Sequence, residues 1–490
     1  MFESSPDSTE CFLNWLRENG ARFPKLSWPS VDTVGGCRGA RASEDIAPGE
    51  HMIEIPIKLM MSPPHAFRDP VIGPILKASE DLLQGDLLLT VYIMFEMSKG
   101  EASFYYPYLQ CLPGPGSVSQ WTDSQLAELE NGDLIHKAKN KLISLRNTYS
   151  RTIVKLCNTY PNELPLEPSY SYDKFLFAWY SVQARAFGKR LRWTAMVPYA
   201  DCLNHGNLQT KYDYNVDGNG FFRLFPSGQN RYLAGTEVFN SYGRRNNDNL
   251  LMDYGFAMLD NEWEKVEVLL TLPSTDENFG IKRTLLFTLL GLHSQSTFFL
   301  ERNTFPLDAL SFLRVAHLDE NELNTAQEMA DGIAGQQQLH RVDNLDMLGI
   351  RQCSSTSTNL LSTPPSSVSP PSLFFSTAYV FSLHNELKAT RALIATLSQQ
   401  VLTRVSSIEH DDELISQLTT PPNGSRVDGG TDHSDWRKLC AVTYRTTRKR
   451  IQDVTLKRLL ALERRLEQAN QKVIGQTDYD ELIQYTQTIN

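Results

Sequence analysis

The spacing of apolar side chains changes along the chain and predicts a succession of different elements. Residues 10–30 carry a helical stripe followed by a turn that contains Trp and Pro. From 37 to 61 short extended segments are broken by turns such as Pro48-Gly49, which predicts a small antiparallel β unit. From 81 to 181 the apolar residues recur at helical spacing. This segment is therefore predicted to be a helical insertion.

Strand-like patterns return after the insertion and then give way to helices. Between Trp193 and Phe239 short segments are bounded by Gly, Asn or Pro, which is typical of strands. We expect strands on the two sides of the insertion to pair with one another. After Thr271 nearly every segment has helical spacing. Two polar segments, 353–372 and 419–435, are predicted to be disordered loops because they cannot bury enough apolar surface to offset their ordering entropy.

These patterns predict an α+β fold in which a β-rich core, split by a helical insertion, is followed by an all-α domain. The predicted boundaries are an N-terminal helix and first part of the core at 1–80, the insertion at 81–181, the second part of the core at 182–260, and the helical domain at 271–490. The basic cluster Arg445–Arg450 falls on an amphipathic helix and is interpreted as a solvated face rather than as a nuclear localisation signal.

Composition and charge narrow the class of protein. Of 490 residues, 41% are hydrophobic and 21% are charged, and the net charge of −10 gives no reason to expect direct nucleic-acid binding. The seven cysteines are scattered without CxxC pairs, which favours a reduced, intracellular chain without a disulfide framework or a metal cluster. No signal peptide or membrane span is recognisable. We expect a monomer of the cytosol or nucleus with no membrane partner.

Polar and aromatic side chains concentrate in two blocks, VPYADCLNHGN at 197–207 and EVFNSYGRRNNDNLLMDYGF at 237–256. Asn204 and His205 stand where a strand gives way to a turn, so both can hydrogen-bond a ligand. Tyr242 and Tyr254 each precede a glycine, which lets another backbone or a ligand approach closely. Taken singly, each feature is better explained by a satisfied turn or by core packing at a bend than by ligand binding.

Five segments in order resemble the successive motifs of the SET-domain methyltransferases, specifically the subgroup related to Rubisco large-subunit methyltransferase. They are GCRGARASEDIAPGE, WYSVQARAF, VPYADCLNHGN, EVFNSYG and NNDNLLMDYGF. In that subgroup a helical insertion splits the SET core and a helical substrate-binding domain follows it, which is the order predicted above. The resemblance implies S-adenosylmethionine as sole cofactor, no metal, and methyl transfer to a lysine of a non-histone protein substrate.

The resemblance also implies roles for individual residues. Tyr242 matches the catalytic tyrosine, and Arg185 the arginine that pairs with the cofactor carboxylate. The implied cofactor contacts are Gly36, Cys37, Arg38, Gly39, Arg185, Asn204, His205, Tyr242 and Phe256. The implied substrate-side residues are Phe187, Lys189, Asp201 and Tyr254.

The chemistry of methyl transfer suits such a site but leaves the acceptor open. An in-line displacement needs the nucleophile to be aligned with the methyl carbon and water to be excluded. A lysine must also lose its proton, which an apolar aromatic channel beside a sulfonium cation favours. Lysine is the favoured acceptor because the string ARAF, in which Phe187 follows Arg185 by two residues, resembles that of the lysine-modifying members of the family. Histidine methylation and a catalytically inactive SET fold that recruits a partner are the two alternatives.

Overall fold

A computed structural model describes residues 6–30, 38–114, 116–188, 191, 193–214, 220–332, 380–419 and 433–469. Gly36, Cys37, Lys189, the loop at 353–372 and most of the loop at 419–435 lie outside the described residues. The chain divides into two compact units, one formed by 1–263 with 407–446 and the other by 264–406 with 447–490. None of the described helices is of the length and hydropathy that a membrane crossing requires.

Two sheets form the β core of the first unit. Its strands are β1 (Leu26–Ser30), β2 (Gly39–Ala42), β3 (Ile53–Pro56), β4 (Asn204–His205), β5 (Thr210–Tyr214), β6 (Phe221–Pro226) and β7 (Glu237–Asn240). One sheet has the order β1-β2-β7-β4 and the other β3-β6-β5. The pairs β2–β7 and β3–β6 are antiparallel and join strands that precede the insertion to strands that follow it. The expected pairing across the insertion is therefore confirmed.

Helices occupy the first unit before the strands and between them. They are α1 (Pro6–Glu18), α2 (Pro63–Arg68), α3 (Ile72–Ala78), α4 (Asp86–Ser98), α5 (Tyr106–Cys111), α6 (Asp123–Ala127), α7 (Gly132–Arg151), α8 (Ile153–Thr159) and α9 (Tyr172–Arg185). The helical stretch begins at Pro63, earlier than predicted, because α2 and α3 are short and contain prolines that resemble turn signals. Asp69, in the turn between α2 and α3, accepts hydrogen bonds from the backbone N–H groups of Val71 and Ile72.

The second unit is mainly helical, as predicted, but it also contains a two-stranded sheet. Its helices are α11 (Phe279–Leu290), α12 (Leu307–Ala316), α13 (320–332) and α14 (Leu383–Leu402). The strands β8 (Lys265–Thr271) and β9 (Gln295–Glu301) pair antiparallel along their whole length. Val266, Val268 and Leu270 are buried while their neighbours are more exposed, a period of two that lies just before the predicted all-α segment and was not assigned to a strand. The α+β fold class is confirmed with this addition.

The last two described helices are α15 (Ile408–Thr419) and α16 (His433–Ala469). The interpretation of Arg445–Arg450 as a solvated face is wrong for two of its cations. Arg445 is only 5% exposed and Lys449 only 4%. Arg445 donates hydrogen bonds to the carboxylate of Asp411, which is itself fully buried, and Lys449 donates to the hydroxyl of Ser406. Buried cations require such partners, and the linear sequence does not show them.

Candidate functional site

The site is built where β4 and β7 run side by side in parallel. Asn204 lies opposite Phe239 and His205 opposite Asn240. The chain that leaves β7 carries Tyr242, whose backbone N–H donates to Nδ1 of His205 at 3.1 Å. The Tyr242 hydroxyl donates to the Leu203 carbonyl at 2.8 Å. These two bonds fix both ends of the tyrosine against the neighbouring strand.

Four ring side chains, His205, Tyr242, Tyr254 and Phe256, form what we call the aromatic cluster. The ring of Tyr242 stacks on His205 with centroids 5.0 Å apart and on Tyr254 with centroids 4.7 Å apart. Phe256 contacts the other three rings at 6.2 to 6.4 Å in tilted or edge-on geometry. The structure therefore brings together four of the residues that the sequence singled out.

The protonation states in the cluster follow from burial. Burial raises the pKa of Tyr242 and of Tyr254, with the cations of Arg185 and Arg245 respectively opposing the shift, so both phenols remain protonated near neutral pH. Burial lowers the pKa of His205, which is only 7% exposed. Nδ1 accepts the Tyr242 N–H at 3.1 Å, which is shorter than its 3.4 Å distance to the Asn240 carbonyl, and this favours the neutral tautomer that carries its proton on Nε2. Nε2 has no partner among the described residues. A buried donor without a partner is suited to binding a ligand.

Arg185, the last residue of α9, is anchored by Asp201. Its Nη1 donates to the Asp201 carbonyl at 2.9 Å and lies 3.4 Å from the Asp201 carboxylate, which also accepts from the Tyr108 hydroxyl at 2.7 Å. Within the described part of the chain only Nη1 of Arg185 makes hydrogen bonds, and the side chain is 21% exposed. The remaining guanidinium nitrogens are available to an anionic group.

Asp201 was predicted to lie on the substrate side. In the structure its side chain is 0% exposed, and Oδ2 of its carboxylate faces Arg185 and accepts a hydrogen bond from the Tyr108 hydroxyl. Burial raises the pKa of this carboxyl, and the adjacent guanidinium opposes the shift. Asp201 is therefore the counter-ion that orients Arg185.

The other predicted residues lie around this centre. Nδ2 of Asn204 donates to Oε1 of Glu237 at 2.8 Å. Gly39 begins β2, and the Arg38 guanidinium covers the ring of Trp28 and donates to the Cys111 carbonyl at 3.2 Å. Among the described residues Phe187 makes its ring contacts with Tyr212 and Phe222, not with the aromatic cluster. The side chains of Arg38 and Phe187 are thus held by partners outside the cluster.

A short helical segment positions Tyr254 and Phe256. The three-residue helix α10 (Asn247–Asn249) leads directly into a π-helical turn, Leu250–Tyr254, which closes with a 2.8 Å bond from the Gly255 N–H to the Leu250 carbonyl. The carbonyl of Met252, within this turn, accepts a 2.6 Å bond from the Ser117 hydroxyl. A π-helical turn of this kind is rare and often marks a functional site.

Asparagines hold the entry and exit of this segment, and the sequence did not reveal their structural role. Asn246 caps α10 by accepting from the Asn249 N–H at 3.2 Å. The fully buried Asn247 exchanges two 2.9 Å bonds with the backbone of Met258. The three asparagines in the string NNDN could have indicated a capped turn. By contrast, nothing in the sequence near Ser117 indicated its hydrogen bond to Met252, which lies 135 residues away.

Sequence comparisons relate the chain to protein methyltransferases. A family profile described as Rubisco LSMT substrate-binding matches residues 273–451. The actin-histidine N-methyltransferases of Homo sapiens and Dasypus novemcinctus are each 28% identical to this chain over 324 residues. The matched region covers 64% of this chain and 53% of each relative, so the chain matches about half the length of these proteins.

Structural comparisons identify the fold. A structure of Rubisco LSMT bound to sinefungin and monomethyllysine superposes with a TM-score of 0.65 at 22% identity, covering 95% of this chain and 94% of that one. A structure of Rubisco LSMT bound to AdoMet gives a TM-score of 0.63 with the same identity and the same coverage. The chain therefore has the fold of these structures, a split SET core followed by a helical domain, as its motifs predicted.

Proposed function

We propose that this chain is an S-adenosylmethionine-dependent protein N-methyltransferase. The observation that carries the proposal is the fixation of Tyr242, whose hydroxyl is bonded to the Leu203 carbonyl and whose ring stacks on His205 and Tyr254. Oxygen atoms held in this way stabilise and orient a polarised methyl group through weak CH···O contacts. The aromatic cluster would exclude water around the reacting atoms.

The residues of the site fit the cofactor that this function requires. The free nitrogens of Arg185 suit its carboxylate, with Asp201 keeping the guanidinium in place. The Nε2–H of His205 is a buried donor in need of an acceptor, and Phe256 supplies an apolar surface for a base. When bound, S-adenosylmethionine would supply the methyl group: the lone pair of the acceptor nitrogen forms the new N–C bond as the sulfonium S–C bond breaks, S-adenosylhomocysteine leaves, and the acceptor side chain releases one proton.

We propose histidine as the acceptor residue. The named relatives are actin-histidine N-methyltransferases, whereas the sequence motifs alone favoured lysine. Lysine is the second candidate, supported by the LSMT structure that holds monomethyllysine and by the aromatic walls that Tyr242 and Tyr254 provide. Both acceptors are side chains of a protein substrate.

The first test is an incubation of the purified chain with methyl-labelled S-adenosylmethionine, using purified actin and, separately, a soluble cell extract. Mass spectrometry of labelled proteins identifies the modified atom. We expect a labelled histidine. A labelled lysine would overturn the histidine assignment but support methyl transfer. Absence of label with a cofactor that binds would favour the inactive, partner-recruiting SET fold.

The pH dependence of kcat/KM distinguishes the two acceptors independently. An imidazole with a pKa of about 6.5 is already neutral at pH 7.5, so a histidine substrate predicts a nearly flat profile up to pH 9. An exposed lysine with a pKa of about 10.4 predicts a rise of about 30-fold over the same range. The raised pKa values of Tyr242 and Tyr254 and the lowered pKa of His205 keep the enzyme's own groups from titrating there. A steep rise would contradict histidine.

A further inference from the structure

A small hydrophobic core lies directly behind the aromatic cluster. It includes Leu251 of the π-helical turn and residues Cys440, Ala441 and Tyr444 of α16, and Phe256 packs against it. Although α16 is almost 200 residues further along the chain, its portion up to Thr446 belongs to the same compact unit as the cluster. The C-terminal helix therefore contributes to the wall that supports Phe256.

Tyr444 makes a polar link within this apolar core. Its side chain is fully buried, and its hydroxyl accepts a 2.8 Å bond from Nδ2 of Asn131 and donates a 2.9 Å bond to Oδ1 of Asp248. Asn131 also caps α7 by accepting from the Leu134 N–H at 3.1 Å. One hydroxyl thus ties the start of α7 to α10, the short helix that leads into the π-helical turn and Tyr254.

The neighbouring residue fixes α16 at this point. Arg445 donates at 3.0 and 2.8 Å to Oδ1 of the buried Asp411, and at 2.7 Å to the Glu128 carbonyl. Charge-assisted bonds of this kind are stronger and more directional than neutral ones. The position of the Tyr444 hydroxyl is therefore set by an anchor that does not itself touch the segment 246–256.

We propose that Tyr444 is a positioning residue of the methyl-transfer site, acting through Asp248 on the segment that carries Tyr254 and Phe256. This inference rests on the proposed function, because it assigns Tyr444 a role in shaping the cofactor and acceptor site. Without the link, α10 loses one of its fixed points, and the π-helical turn is held by the Ser117 bond and by its own backbone. The aromatic cluster then adopts other arrangements, which weakens binding of the cofactor.

The test measures binding of S-adenosylhomocysteine by calorimetry, which does not require a known protein substrate. Tyr444→Phe keeps the buried ring and removes only the hydroxyl, and we expect it to weaken binding about fivefold, the effect of one net hydrogen bond. Asp248→Ala removes the same link and also the 3.9 Å ion pair with Lys137, so it should weaken binding at least as much. The double variant should be no worse than Asp248→Ala alone, because the link is already absent there. Asp248→Asn retains an acceptor oxygen and loses only the ion pair with Lys137, whose side chain is 49% exposed, so it should bind within about twofold of the wild type.

Thr446→Val is the matched control, since it deletes a buried hydroxyl that bonds only within α16, to the Val442 carbonyl. Its affinity should equal that of the wild type. If Tyr444→Phe also binds like the wild type while remaining folded, or if the two single effects simply add, the positioning role is refuted. If the wild type itself does not bind S-adenosylhomocysteine, the proposed cofactor site fails first and the inference fails with it, an outcome readily told apart from the other two.

Discussion

Replacing Tyr242 by phenylalanine is expected to lower kcat for methyl transfer by about 10² to 10³-fold, the range found when one preorganised polar group is removed from an active site. The substitution removes the oxygen that the Leu203 carbonyl holds in place while leaving the ring stacked on His205 and Tyr254. The loss of one hydrogen bond should cost about 1 kcal/mol of stability. Turnover and the melting temperature are measured on the same preparation.

Tyr232→Phe provides a matched control for this experiment. The Tyr232 hydroxyl is also bonded to backbone groups, donating to the Phe239 carbonyl at 3.0 Å and accepting from the Phe239 N–H at 3.3 Å. Tyr232 lies outside the aromatic cluster, but its hydroxyl bonds to β7, the strand that leads into Tyr242. We expect turnover within about twofold of the wild type. Full activity in Tyr242→Phe, or equal losses in both variants, would show that Tyr242 is not catalytic.

The order of elements could be predicted because each is encoded locally. The change from period two to helical spacing and back again indicated a β core split by helices, and it predicted that strands on the two sides of the insertion pair, as β2 does with β7 and β3 with β6. The strand β9 was missed because its segment was assigned to the helical domain. The strand β8 alternates clearly but falls almost entirely between the predicted core at 182–260 and the predicted helical domain at 271–490, and it was left unassigned. The prolines of α2 concealed the start of the insertion for a similar local reason.

The site was only partly predictable. Residues within one local motif could be identified, whereas contacts between residues far apart in the sequence could not. The motifs singled out His205, Tyr242, Tyr254 and Phe256, which the structure brings together, because these residues lie in two compact blocks with a recognisable order. The contact between Asp201 and Tyr108 was not predicted, because the two residues are 93 positions apart and the string YADCLNH does not show that Asp201 is buried. Tyr444 was overlooked because its link to Asp248 spans 196 residues. Such contacts depend on tertiary packing that no local pattern specifies.

Replacing Gly255 by alanine is expected to destabilise the first unit by about 3 kcal/mol or more, since it combines backbone strain with a steric clash. Gly255 has φ +83°, a region that L-residues rarely adopt, and a Cβ there would lie 2.2 Å from the carbonyl oxygen of Gly116. The clash is with backbone, so no side chain can rotate away. Because Gly255 separates Tyr254 from Phe256, relief of the clash must also displace the aromatic cluster.

Gly235→Ala separates the two contributions. Gly235 has nearly the same φ, +82°, but a Cβ built there meets nothing within 4 Å. It should therefore cost only the backbone strain, about 1 to 2 kcal/mol, and leave binding of S-adenosylhomocysteine unchanged. Calorimetry gives the melting temperatures of both variants. We expect Gly235→Ala to melt more than a few degrees above Gly255→Ala. Equal decreases in melting temperature would mean that the backbone at Gly116 moves away from the new Cβ without loss of stability. The aromatic cluster would then not depend on the close approach of Gly255 to Gly116.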